Sequence, residues 1–211
     1  MEQALSGTHT TRLGFTALVF LLAFTSGFSI MAVELLGGRI LAPYFGSSIH
    51  VWGSIITVFM VALAIGYLAG GRLSMAGPSL RRYGLFYLLS ALALLPIVLA
   101  GDAMMEAVFL HIEDPRYGSL LAALALFFVP TVVLGMIAPY SVRLLVRHQH
   151  HSGQVAGLLY FVSTLGSALG TLATSFYLVL YFEVDQIMLT LIGLLVAGGA
   201  LAFACRNLEE S

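Results

Sequence analysis

SGQVAGLLYFVSTLGSALGTLATSFYLVLYF, residues 152–182, runs for 31 residues without a charged side chain. A helix of about 20 apolar residues crosses a hydrocarbon core of ~30 Å, so this stretch alone is long enough to span a bilayer. Five further uncharged gaps flank it: 21 residues over 13–33, 21 over 51–71, 19 over 83–101, 26 over 117–142 and 20 over 186–205. The runs are continuously apolar, without the period of two that a membrane β-barrel strand needs. Lipid offers the backbone no hydrogen-bond partner, so each run must be helical. The sequence therefore predicts one all-α domain over residues 1–211, with transmembrane helices at about 13–35, 51–71, 83–101, 117–142, 154–181 and 186–205.

Composition agrees. Of the 211 residues 60% are hydrophobic and 9% charged, against roughly 25% charged in a soluble domain. Lysine is absent, all nine basic residues are arginine, and the net charge is -1. No basic face exists to meet a nucleic-acid backbone, which excludes that partner. One cysteine, Cys205, excludes a disulfide scaffold. The first run is too long for a signal peptide and lacks a small-residue cleavage pattern, so it is expected to remain as a span.

Six spans place both termini on one side, together with Arg12, Arg72, Arg81, Arg82, Arg143, Arg147 and Arg206; only Arg39 and Arg116 fall on the other. The positive-inside rule then predicts a multi-pass protein of the bacterial inner-membrane type with both termini cytoplasmic. The longest connection is expected over 102–116, where AVFLHI (107–112) reads as a short interfacial helix. The segment GYLAGGRLSMAGPSLRR (66–82) reads as a tight basic hairpin at the cytoplasmic surface, its arginines suited to an anionic leaflet.

The chain echoes itself. Gly38 with Ala42-Pro43-Tyr44 returns as Gly135 with Ala138-Pro139-Tyr140, and the pair Gly66, Gly70 returns as Gly166, Gly170. Three helices separate the copies, the pattern of two inverted three-helix repeats, a plan common among secondary transporters. Ser163, Ser167, Gly170 and Thr174 share one face of the fifth helix. The favoured reading is a packing face; the alternative is a hydroxyl-lined solute path.

One stretch carries a charge where lipid makes it costly. Glu34 lies about 20 residues into the first span, in ELLGGRILAPYFG (34–46), five residues before Arg39. Gly37, Gly38 and Pro43 predict a broken or bent helix there. Glu34 and Arg39 either neutralise each other, or Glu34 snorkels to the interface, or Glu34 is an intramembrane carboxylate that meets a cation or proton. Tyr44 and Trp52 bracket the adjoining loop, with His50 between them. They read as an interfacial aromatic belt, or as an aromatic mouth for an organic cation that Tyr67, Tyr140 and Tyr160 would extend if the helices converge. The candidate substrate-binding residues are thus Glu34, Arg39, Tyr44, Trp52, Tyr140 and Tyr160.

No catalytic residue, cofactor or metal ligand emerges. His148, His150 and His151 form a short histidine-rich turn without a carboxylate or thiol nearby, and His9, His50 and His111 are scattered. No nucleophile–base pair is apparent, so intrinsic catalysis is not expected.

The stretch ELLGGRILAPYFGSSIHVWGSIITVFMVALAIGYLAGGRL (34–73), with LGMIAPYSVRL (134–144) and GQVAGLLYFVSTLGSALGT (153–171), resembles the membrane region of the fused major-facilitator/spermidine-synthase-like family. The likeness runs in order from about Gly27 to Gly193. In that family a soluble synthase-like domain often follows the membrane region. No glycine turn for a nucleoside cofactor is found here, so aminopropyl transfer is not assigned to this chain. The resemblance implies a transporter-like module for a small polar or cationic solute, polyamine-related substrates included. It implies equally a non-transporting membrane anchor for a separate cytoplasmic synthase-like protein. Six helices are half of a twelve-helix transporter, which leads us to expect a homodimer in the bilayer.

Overall fold

The computed structural model describes residues 2–112, 114–146 and 152–208, with side chains from Leu13 to Arg206 within them. It is all-helical, with no strand among the described residues. The helices are α1 (Glu2–Phe45), α2 (Ile49–Ser74), α3 (Leu80–His111), α4 (Pro115–Leu145), α5 (Ser152–Tyr181) and α6 (Val184–Ala204), followed by a 3-10 turn, Cys205–Leu208. Each contains a window apolar and long enough to cross a membrane, α1 from Leu13 onward, so the chain is a multi-pass membrane protein.

The helices outrun the uncharged gaps. The 33-residue span of α1 extends for about 50 Å at 1.5 Å per residue, well beyond the hydrocarbon thickness. Charges interrupt an apolar run without ending a helix, because the backbone ladder continues into the headgroup region. Two expectations are corrected by this. The first helix does not break at Gly37, Gly38 or Pro43; it runs unbroken to Phe45 and stops where Gly46 takes φ +77° and donates to Ala42 O at 2.9 Å. AVFLHI forms no separate interfacial helix; residues up to His111 continue α3, and the third connection shrinks to residues 112–114.

Local chemistry sets the other starts. Ser79 Oγ accepts from the Arg82 amide at 3.3 Å at the start of α3. Asp114 Oδ1 accepts from the Arg116 amide at 2.9 Å ahead of α4, with Pro115 in its first turn. A capping box joins Glu183 and Gln186 at the start of α6.

Packing follows the small residues. Helix α2 lies on α4, α5 lies on α1, and α3 lies on α6. A methyl group added at Gly66 would strike Val132 O and fall 2.9 Å from the Cα of Gly135; one at Gly70 would fall 2.7 Å from the Cα of Met136. On the other pair, Gly166 faces Phe24 O and Gly170 faces Phe28 O in the same manner. The α2 glycines thus meet a parallel helix just as the α5 glycines do, the helix pairing that an inverted repeat generates. The Ala-Pro-Tyr echo does not share that register. Ala138 follows Val132 by 6 residues, whereas Ala42 follows Phe24 by 18.

Polar locks hold the first turns of α3 against its neighbours. Tyr87 donates to Leu22 O at 2.5 Å, Tyr83 and Ser141 share a hydrogen bond of 2.6 Å, and Tyr140 Oη accepts from the Ser79 amide at 2.9 Å. All three tyrosines are fully buried, and Tyr83 stacks on Tyr140 with ring centroids 6.0 Å apart. A hydroxyl unpaired at this depth is costly, and these three are paired. Ser29, Thr131 and Thr174 are buried hydroxyls without a hydrogen-bond partner among the described residues. Thr174 opens a single π-turn, Thr174–Leu178, within α5.

Candidate solute cavity

Between α2 and α5, above a floor of α1 and α4, lies a cavity of about 350 Å³. Its α1 wall is Ser26, Gly27, Ile30 and Met31; α5 contributes Ser163, Thr164, Ser167 and Tyr160; α2 contributes Leu63 and Tyr67; α4 contributes Ala138 and Pro139. The hydroxyls come from the packed face of α5. Gly166 and Gly170 on that face bring α5 against the α1 backbone, and Ser167 Oγ lies 3.2 Å from both Gly27 O and Ser163 O as donor. The stripe thus divides: Gly170 packs on α1 and Thr174 is buried, whereas Ser163 and Ser167 border the cavity.

At about 100° per residue the α1 wall covers an arc of roughly 140°, and Glu34 falls in the middle of it, some 5–6 Å beyond Ile30 and Met31. Gly37, one turn further, packs against Ile55 and Phe127. Those residues lie 6 and 12 positions inside α2 and α4, so Glu34 is at membrane depth. Glu34 is partly buried, and among the described residues it has no hydrogen-bonding or ionic partner. Arg39 is exposed and does not pair with it. In an unbroken helix a separation of five residues places two side chains about 140° apart, off the i,i+4 geometry that lets charges meet.

The six residues singled out from sequence divide among separate places. Tyr160 lines the α2–α5 groove, with Tyr67 on the opposite wall, while Glu34 is not one of its lining residues and lies on the same face of α1 about one turn beyond Ile30; Tyr67 and Tyr160 are 47% and 54% exposed, open for contact. Tyr44 is elsewhere: its hydroxyl reaches Asp102 O at 3.4 Å and its ring meets Phe109 edge-on at 6.1 Å. Trp52 packs over Gly38, where an added methyl would fall 2.7 Å from the indole. Tyr44 and Trp52 thus form no shared mouth. Tyr140 is turned away from the cavity that its neighbours Ala138 and Pro139 line, and is spent on the α2–α3 turn. Ser26 and Thr164 are wall residues that the sequence did not single out, whereas Ser163 and Ser167 stood there as a packing face or a hydroxyl-lined path; the i, i+4, i+8 relation of Ser26, Ile30 and Glu34 is the signal that would have found the face.

Among the described residues no cluster of three or more histidine, cysteine or acidic side chains is placed to hold a metal. The histidine-rich turn at His148, His150 and His151 lies outside the described residues. Comparison with protein-family models, with curated proteins and with solved structures finds no match to this chain.

Proposed function

We propose that this chain is a transporter-like membrane module for a small polar or cationic solute, with polyamine-type amines as the class to test first. The observation that carries the reading is the unpaired Glu34 on the same α1 face as a cavity walled by hydroxyls and two tyrosines. A carboxylate without a counter-ion at membrane depth is expensive, and a bound cation or proton removes that expense. Tyrosine faces add cation–π attraction, and serine and threonine hydroxyls accept from ammonium groups. The sequence likeness to the membrane region of the spermidine-synthase-like family supports the same substrate class. On this reading the chain acts without catalysis of its own.

The preferred assembly is a homodimer with α5 at the interface. Helix α5 is the least hydrophobic of the six spans and also the least buried within the chain. Lipid alone would favour the reverse. Gly157, Ala168 and Ser175 form an exposed stripe of small residues along it, the type of surface on which membrane helices associate. The described arginines Arg72, Arg81, Arg82, Arg143 and Arg206 gather at the end of the bundle where the chain's termini lie, which supports a cytoplasmic placement of that end in an inner membrane.

The test is uptake of labelled putrescine or spermidine into proteoliposomes, comparing the native chain with Glu34→Gln. Flux that falls at least tenfold in the variant supports the proposal. Equal flux in both, or none in either, rejects the role of Glu34. Absence of flux together with co-purification of a cytoplasmic synthase-like protein moves the reading to a membrane anchor.

A further inference from the structure

At the end of the bundle that carries the termini, a surface concavity of about 530 Å³ lies between the start of α3 and the end of α6, lined by Ser79, Arg81, Arg82, Leu85 and Phe203. We propose that it holds the phosphate of an anionic phospholipid. The two arginines differ in what they already do. Arg82 Nη1 donates to Ala76 O at 3.0 Å and Gly77 O at 3.2 Å, closing the α2–α3 turn. Arg81 has no hydrogen-bonding or ionic partner among the described residues. Neither is placed to stabilise its helix, because a cation in the first turn faces the positive end of the dipole, and that turn contains no acid.

No carboxylate at this end offsets them among the described side chains. Asp102, Glu106, Asp114, Glu183 and Asp185 sit near the opposite end, and Glu34 is interior. Among the described residues these guanidinium groups thus meet no anion, and the concavity is open to one from outside. Leu85 and Phe203 continue the concavity as an apolar wall toward the membrane-spanning part of α3 and α6. Guanidinium groups at the interface with an apolar slot below match a phosphodiester with acyl chains attached. A free inorganic phosphate would leave the apolar wall unused.

The experiment uses the full chain, purified and delipidated, with phosphatidylglycerol, phosphatidylcholine or inorganic phosphate added separately. Bound lipid is counted by native mass spectrometry, and the unfolding midpoint is measured. Phosphatidylglycerol is expected to be retained in preference to phosphatidylcholine and to raise the midpoint. Arg81→Gln should cut that preference about fivefold, the worth of one arginine near an anionic surface, while Arg72→Gln, at an exposed site outside the concavity, keeps it. Equal retention of the two lipids, equal losses in the two variants, or full stabilisation by inorganic phosphate alone would overturn the assignment. The melting of Arg81→Gln in phosphatidylcholine shows whether the variant is folded. None of these readings depends on flux, so the result stands apart from the solute proposal.

Discussion

Replacing Gly166 by alanine tests the packing that builds the cavity. Its added methyl would strike Phe24 O and fall 3.0 Å from that residue's carbonyl carbon. Carbon atoms rest best at about 3.5–4.0 Å, so α5 and α1 must part by roughly 0.5–1 Å. Overpacking of this kind costs about 1–3 kcal/mol. Alanine also favours the helix over glycine by about 1 kcal/mol, which masks part of the loss. A second helical glycine removes that ambiguity. At Gly193 in α6 an added methyl meets nothing within 4 Å, so Gly193→Ala gains the propensity without the clash. The difference between the two variants is then the clash alone, about 1–3 kcal/mol, or a factor of roughly 5 to 150 in the folded ratio. Equilibrium unfolding in mixed micelles at increasing SDS fraction measures both. Equal stability of the two variants would refute close backbone packing of α5 on α1.

Three further outcomes are expected. Tyr140→Phe leaves the Ser79 amide without its acceptor and should cost about 1–3 kcal/mol in the same unfolding assay; an unchanged midpoint would contradict that bond. Thr131→Val removes a buried hydroxyl that has no partner while keeping the shape, and should be neutral or stabilising by about 1 kcal/mol. A loss above that size would reveal a partner for it. Gly77→Ala places a side chain at φ +84° in the turn that Arg82 closes, and should destabilise by about 1–2 kcal/mol, whereas Gly71→Ala, in open helix, should not.

The six helices were legible because charge spacing reports lipid contact directly. Their ends were not, since Asp102 and Glu106 stand within α3 and Glu34 and Arg39 within α1. A charge marks where the solvent changes, while a helix ends where caps and left-handed residues stop it, as Gly46 does. The predicted break in ELLGGRILAPYFG gave too much weight to local propensity. Gly37 and Gly38 instead admit Phe127 and Trp52 against the α1 backbone, so a residue type that loosens an isolated helix here serves its packing. Glu34 could be singled out by cost alone. Tyr67, Tyr160, Ser163 and Ser167 could be named too, but not their convergence, because the cavity exists only once α5 is known to lie on α1 and α2 on α4. That pairing joins residues such as Gly27 and Ser167, 140 positions apart.

The same long-range pairing governs how the molecule is made. Helix α1 leaves the ribosome well before α5, whose surface receives the face that carries Gly27. At 5–20 residues per second, 140 residues of nascent chain take roughly 7–28 s to emerge. For that interval a helix bearing a carboxylate must reside in the insertion machinery or the bilayer without its final neighbour. Quality control of this chain therefore acts on a half-built bundle, and substitutions at the α1–α5 seam should reduce its yield in cells before they alter the finished protein.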